Sequence, residues 1–143
     1  PNGFHFVESK RLSVEKIAEC CWKGFDHEKD ESFWNGDAEH GYYMLMAPHM
    51  HPEDSIVIAN DEGEYVCYAG MWWTPENHLA YMEPLCTIPK YRKKGLAAAA
   101  LSEHYRRLKQ LGATHMTGGG NTFYEKIGFK PLFHWTFWEK KTI

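Results

Sequence analysis

The stretch Arg92-Lys93-Lys94-Gly95-Leu96-Ala97 has the residue types that hold a multiply charged anion. It follows a strand-like run, Tyr81 to Ile88, and opens a helical pattern. A helix N-terminus presents unpaired backbone N–H groups and a partial positive charge, so phosphate oxygens are stabilised there. Gly95 lets the backbone approach those oxygens where a side chain would stand in the way. Ala97 keeps the first turn small, and Lys90, Arg92, Lys93 and Lys94 surround it with positive charge. Taken alone, the segment equally fits a solvated basic loop before an ordinary helix. A dinucleotide fold would need G-x-G-x-x-G and a P-loop would need G-x-x-x-x-G-K-[ST]; the sequence has neither.

Metal chemistry finds less support. Cys20, Cys21, Cys67 and Cys86 show no C-x-x-C spacing and read as buried, reduced thiols, with Cys21 on an apolar helical stripe. His49-Met50-His51 places two imidazoles two residues apart beside Pro48 and Pro52, but no third ligand accompanies them. No metal is expected.

The elements around the anion loop follow from periodicity. Phe4 to Val7 is strand-like. Ser13 can cap a helix whose apolar residues Val14, Ile17, Ala18, Cys21, Trp22 and Phe25 share a face. From Glu28 to about Pro52 the pattern is poor and predicts irregular or short helical structure. Ile56 to Ala59, Glu64 to Trp73 and Leu79 to Ile88 then read as three strands joined by tight turns, an antiparallel meander. Leu96, Ala97, Ala100, Leu101, His104, Tyr105, Leu108 and Leu111 form one helical stripe that Gly112 is placed to end. Ala113 to Thr117 predicts a short strand, Asn121 to Ile127 a capped short helix, and Phe129 to Trp138 a last strand. Trp72 and Trp73 point to opposite faces of their strand, so at most one faces a cleft. Trp135 and Trp138 read as core.

Composition bounds the rest. A chain of 143 residues suits one domain, residues 1–143, with a real core. Its formal charge of -3 argues against general affinity for nucleic acid. No apolar run approaches a membrane span, and the expected location is cytoplasmic. Aromatics at 15% imply either a ring-rich core or a ring-lined pocket. The first residue is Pro1 rather than Met, which reads as a domain cut from a longer, tandem protein.

In that setting Arg92 to Ala97 resembles the [RQ]-x-x-G-x-[GA] segment of the GNAT superfamily of N-acetyltransferases, preceded here by Glu83-Pro84-Leu85-Cys86-Thr87-Ile88-Pro89. Asn121-Thr122-Phe123-Tyr124-Glu125-Lys126-Ile127-Gly128-Phe129 looks like the family's N…YEKLGF block. The order of elements agrees across most of the chain, and the likeness is specific from about Ile56 to Pro131. It implies an α+β fold: a mixed, mostly antiparallel sheet flanked by helices and splayed between its fourth and fifth strands. Acetyl-CoA is the co-substrate implied. Its pantetheine arm would pair with backbone at Leu85, Cys86 and Thr87, and its pyrophosphate would meet N–H groups from Lys93 to Ala97. Asn121 would match the asparagine near the pantetheine, although the spacer before Tyr124 is shorter than usual.

The resemblance implies direct attack of an amine on the acetyl thioester, with Tyr124 as the acid that protonates the departing thiolate. Glu83 is the base candidate, because a carboxylate in an apolar strand facing a cleft has a raised pKa. A water chain is the alternative. Strict alternation puts Glu83 opposite Cys86 unless a bulge intervenes. The implied activity is N-acetyl transfer to a primary amine of a small molecule, set against a catalytically weak acyl-CoA-binding domain with a structural or sensing role. A neighbouring domain or a second copy of the chain are the protein partners left open.

Overall fold

The computed structural model describes residues 1–29, 34–132, 136 and 138–140. The sheet begins with β1 (Phe4–Phe6), which pairs antiparallel with β2 (Ile56–Asn60). Every residue of β2 is buried, as expected of a short unbroken apolar run. Asn60 Oδ1 accepts from the Glu64 N–H at 2.9 Å, and Gly63 takes a positive φ, so the turn returns the chain into β3 (Tyr65–Thr74). A second tight turn leads into β4 (Leu79–Thr87), antiparallel to β3.

Between β1 and β2 lie two helices. In α1 (Val14–Gly24), Ser13 Oγ accepts from the Lys16 N–H at 3.2 Å, the expected N-cap. The face turned to the sheet buries Ile17 and Cys20, Trp22 is buried on another side of the helix, and Cys21 is only half-buried. The poorly patterned stretch holds α2 (Glu39–Leu45) and short 3₁₀ turns at His27–Lys29 and Pro52–Asp54.

After β4 comes α3 (Leu96–Leu111), which buries Leu96, Ala100, Leu101, His104 and Leu108 and stops at Gly112 with φ 94°. Tyr105 and Leu111, the outer members of the predicted stripe, are exposed. β5 (His115–Thr117) then pairs parallel to β4, and α4 (Thr122–Lys126) follows, capped by Asn121. The five-stranded sheet runs β1-β2-β3-β4-β5, with α1 and α3 contributing to separate apolar clusters on it.

β5 meets only Leu79, Ala80 and Tyr81, leaving the rest of that β4 edge without a strand partner among the described residues. The sheet is therefore mixed and splayed open between its fourth and fifth strands, as expected. Phe129 to Leu132, Thr136 and Trp138 are not strand, and Trp138 is 92% exposed rather than core. Phe133, His134, Trp135 and Phe137, the rest of that expected strand, lie outside the described residues.

Candidate active site

The open edge of β4 is set by its register. The Ile88 N–H donates to Val66 O at 3.0 Å, and Cys86 lies opposite Tyr68. Alternation therefore turns the backbone groups of Leu85 and Thr87 away from β3, towards the gap left by β5. One of them is taken, because Arg92 Nε donates to Thr87 O at 3.0 Å. Cys86 presents its side chain to α1 instead. Its Sγ lies 4.0 Å from Cys20 Sγ and 3.9 Å from Cys21 Sγ, and the Cys86 contact together with burial pushes the Cys20 and Cys21 thiols up.

The edge leads to the start of α3. Lys93 and Gly95 both adopt left-handed backbone, with φ 62° and 80°. The first intrahelical bond runs from Ala99 N–H to Gly95 O, so the N–H groups of Lys93 to Ala98 have no acceptor among the described residues. A β-carbon on Gly95 would meet nothing within 4 Å, which leaves clear space in front of these donors. Such an array is an anion cradle.

The basic side chains around the cradle divide the work. Arg92, besides holding Thr87 O, donates to Gly24 O at 2.8 Å and to Asp26 Oδ2 at 3.0 Å. Its guanidinium thus ties the end of α1 to the end of β4 instead of pointing into the cradle. Gly24 allows this approach, since a β-carbon there would stand 2.7 Å from Cys86 Cβ. Lys90 pairs with Glu64 at 3.2 Å, and Lys94 lies over the Phe4 and Tyr91 rings. Lys93 is exposed and has no ion pair among the described residues.

Glu83 stands at the other end of the edge. Between the pairs Ala69–Leu85 and Met71–Met82, β3 has one residue, Gly70, where β4 has two, Glu83 and Pro84. This bulge resets the alternation. Glu83 consequently opens into the same α1-side space as Trp72 and Cys21, not the opposite face that strict alternation gave. Burial holds its carboxyl above the usual carboxylate range.

Tyr124 is 8% exposed and comes from the other side of the sheet, beside Met82. Its ring rests on Gly118 and Gly119, where β-carbons would lie 3.0 and 2.7 Å from ring carbons. Phe123 and Phe129 close on it with centroids 5.3 Å away. Burial raises its hydroxyl pKa, the Gly119 backbone opposes this, and the Glu83 and Tyr81 charges add to it. Asn121 Oδ1 is occupied in capping α4, accepting from the Phe123 N–H at 3.0 Å.

A cavity of about 500 Å³ lies between α1, α2 and the bulge. Trp22, Phe25, Trp34 and Trp72 supply its rings, and Asp37, His40 and Glu83 supply polar groups. Trp72 enters it while Trp73 packs in the core. Sequence reasoning left Trp34, Asp37 and His40 unassigned. A signal was present in Asn35-Gly36-Asp37, because Asp37 Oδ1 accepts from the Glu39 N–H at 2.9 Å and starts α2. His49 and His51 stay apart from this site, their backbone bonded to β3, and the described residues contain no cluster of three or more His, Cys, Asp or Glu side chains arranged to hold a metal ion.

A sequence-family model for the acetyltransferase (GNAT) domain matches residues 52–131, from the turn before β2 through α4. The chain belongs to the GNAT acetyltransferase family. Solved GNAT structures share its fold. The ribosomal-protein-S18-alanine N-acetyltransferase of Escherichia coli aligns with TM-score 0.66 and 13% identity, covering 91% of this chain and 79% of that one. The 6'-N-acetyltransferase AAC(6')-Ih of Acinetobacter baumannii, which acts on aminoglycoside antibiotics, gives 0.64 and 14%, covering 98% and 99%. A GNAT acetyltransferase of Brucella melitensis in complex with acetyl-CoA gives 0.63 and 16%, covering 90% and 83%. Compared by sequence with curated proteins, the chain finds no match. No described helix of this GNAT domain is long and apolar enough to cross a membrane.

Proposed function

We propose that the chain is an acetyl-CoA-dependent N-acetyltransferase acting on a primary amine of a small molecule. The observation that carries this reading is the continuity of the β4 edge: it begins at an anion cradle and ends where Glu83 lines a ring-walled cavity. The residues present fit the co-substrate. Free N–H groups from Lys93 to Ala98 suit a pyrophosphate, Lys93 suits a further phosphate, and the Leu85 backbone offers strand-like pairing to an extended amide-bearing arm. The Brucella melitensis relative holds acetyl-CoA, which supports the same choice here. A concave cavity of about 500 Å³ lined by rings suits a small acceptor.

Bound along this edge, acetyl-CoA supplies a thioester carbonyl carbon as the electrophile. Glu83 receives a proton from the attacking nitrogen, which its raised pKa suits it to do near neutral pH. Tyr124, kept protonated by burial, gives its hydroxyl proton to the leaving sulfur. The C–N bond forms as the C–S bond breaks, and the proton held by Glu83 returns to Tyr124 through water. An amine and a thioester become an amide and a free thiol. The test is thiol release from acetyl-CoA across a panel of primary amines, comparing wild type with Tyr124→Phe. Turnover lost with cofactor affinity kept supports the reading; cofactor binding without turnover of any amine replaces it with a sensing role.

A further inference from the structure

The walls of the acceptor cavity are unusual for a protein that would handle a heavily hydroxylated amine. Trp22 and Trp34 lie with ring centroids 5.9 Å apart and an interplanar angle of 58°, the side of a box rather than a stack. Trp72 is held in place by its own indole, whose Nε1 donates to Glu83 O at 3.1 Å at the bulge. That bond spends the one polar group of the indole and leaves the ring to act as an apolar wall. Phe25 adds a fourth ring, and Ile17, Ala18 and Met44 fill the surface between.

Charge in the cavity has one sign. Asp37 and Glu83 both line it beside His27 and His40, whereas among the described residues neither a lysine nor an arginine does. Both carboxylates are exposed at the mouth of this space. Asp37 Oδ1 accepts from the Glu39 N–H, leaving Oδ2 able to accept from a ligand. A cation entering this space gains from the carboxylates and from indole faces together. A polyhydroxylated polyamine would lose water from many hydroxyls and find few partners for them, at a cost of about 1–3 kcal/mol for each buried group left unpaired.

We infer that the acceptor is an arylalkylamine: a primary ammonium on a short chain ending in a flat apolar ring, the ring held among Trp22, Phe25, Trp34 and Trp72 and the amine directed by Asp37 towards Glu83. This rests on the acetyltransferase reading and adds the substrate class. The bound ammonium first gives one proton to water; the neutral amine then attacks the thioester, its second proton passing to Glu83, so that ammonium and thioester become an aryl-alkyl acetamide, a thiol and a released proton.

Binding and turnover are to be measured separately, by calorimetry without acetyl-CoA and by thiol release with it. The probes are 2-phenylethylamine, ethanolamine and kanamycin. The expected result is that 2-phenylethylamine binds about tenfold or more tightly than ethanolamine and has the highest kcat/KM of the three. Trp34→Leu and Asp37→Asn should each weaken its binding about tenfold. Asparagine keeps the oxygen that accepts from the Glu39 N–H, so that variant is expected to fold if Trp34→Leu does not. Preferred binding and turnover of kanamycin or ethanolamine overturns the substrate class and leaves acetyl transfer standing. Selective binding of 2-phenylethylamine with no thiol release from any amine has the opposite meaning: the cavity's ligand class holds and the transferase reading fails.

Discussion

Gly70 faces the carbonyl oxygen of Glu83 so closely that a β-carbon at position 70 would lie 2.5 Å from it and 3.0 Å from Pro84 Cδ. The bulge that brings Glu83 into the acceptor cavity therefore depends on the absence of a side chain on the neighbouring strand. Gly70→Ala must push β3 and β4 apart or flatten the bulge, because the clash is with backbone. A destabilisation of about 1–3 kcal/mol is expected, read as a lowered Tm, with kcat falling further than the small volume change alone would suggest. A variant with unchanged Tm and kcat would show that Glu83 does not need this register.

Gly95 has the opposite geometry: ample space and a demanding φ of 80°. A β-branched residue there pays the left-handed penalty, about 1–2 kcal/mol, or turns the cradle's N–H groups out of alignment. Gly95→Val should raise the Kd for acetyl-CoA about tenfold or more while the protein still melts cooperatively. Unaltered affinity would remove the cradle from the binding site.

These two glycines show what was legible in the chain and what was not. Gly95 could be read because its neighbours Arg92 and Ala97 are adjacent in sequence and the cradle is a local structure. The capping roles of Ser13, Asn121 and Gly112 were visible for the same reason. Gly70 gave no such signal, since what it contacts lies across a strand pair and the two-for-one count at Glu83–Pro84 appears only once the register is fixed. Arg92 misled in part: its position beside the cradle suggested a phosphate ligand, but Gly24 O and Asp26, 68 and 66 residues away along the chain, claim its guanidinium. The high aromatic content could not distinguish core from pocket. The rings come from three segments, the end of α1 with Trp22 and Phe25, the stretch at Trp34, and β3 with Trp72, and converge only in the folded chain.

Tyr124 carries two separable roles. Its hydroxyl is the proton donor of the proposed mechanism, and its ring fills the space above Gly118 and Gly119. Tyr124→Phe should keep the fold and the acetyl-CoA affinity while lowering kcat about 10²-fold. Tyr124→Ala should in addition cost about 3–5 kcal/mol of stability through the cavity it opens. Equal kcat in wild type and Tyr124→Phe would assign the residue to packing alone.

Glu83 must be ionised to accept a proton, and burial raises its pKa. Activity should therefore fall on the acid side at a pH above the range of an ordinary carboxylate, with kcat/KM rising through that limb as pH increases. Glu83→Gln should abolish the limb and reduce the plateau. If the limb persists unchanged in Glu83→Gln, another group or a water chain takes the proton.

The least obvious consequence concerns His104, which is 0% exposed in α3 and has no hydrogen-bond partner for either ring nitrogen among the described residues. Burial lowers its pKa from 6.5 to about 4, the Arg107 charge adding to this while the Asp54 backbone and the Glu103 carboxylate oppose it. In the unfolded chain the same imidazole takes up a proton below about pH 6.5. Between these values the unfolded state binds more protons than the native one, so stability is complete above pH 6.5 and falls as pH drops towards 4. The loss across that window is about 3 kcal/mol. Asp54, whose carboxyl burial holds above its ordinary range, works in the other direction at the lower end. His104→Leu removes the imidazole's proton linkage. Urea unfolding at pH 7.5 and pH 4.5 should then show a loss about 2–3 kcal/mol smaller in the variant than in wild type. Equal losses in the two proteins would mean that His104 gains a proton in the native state as readily as in the unfolded chain, and that its burial is not what limits the acid stability of this fold.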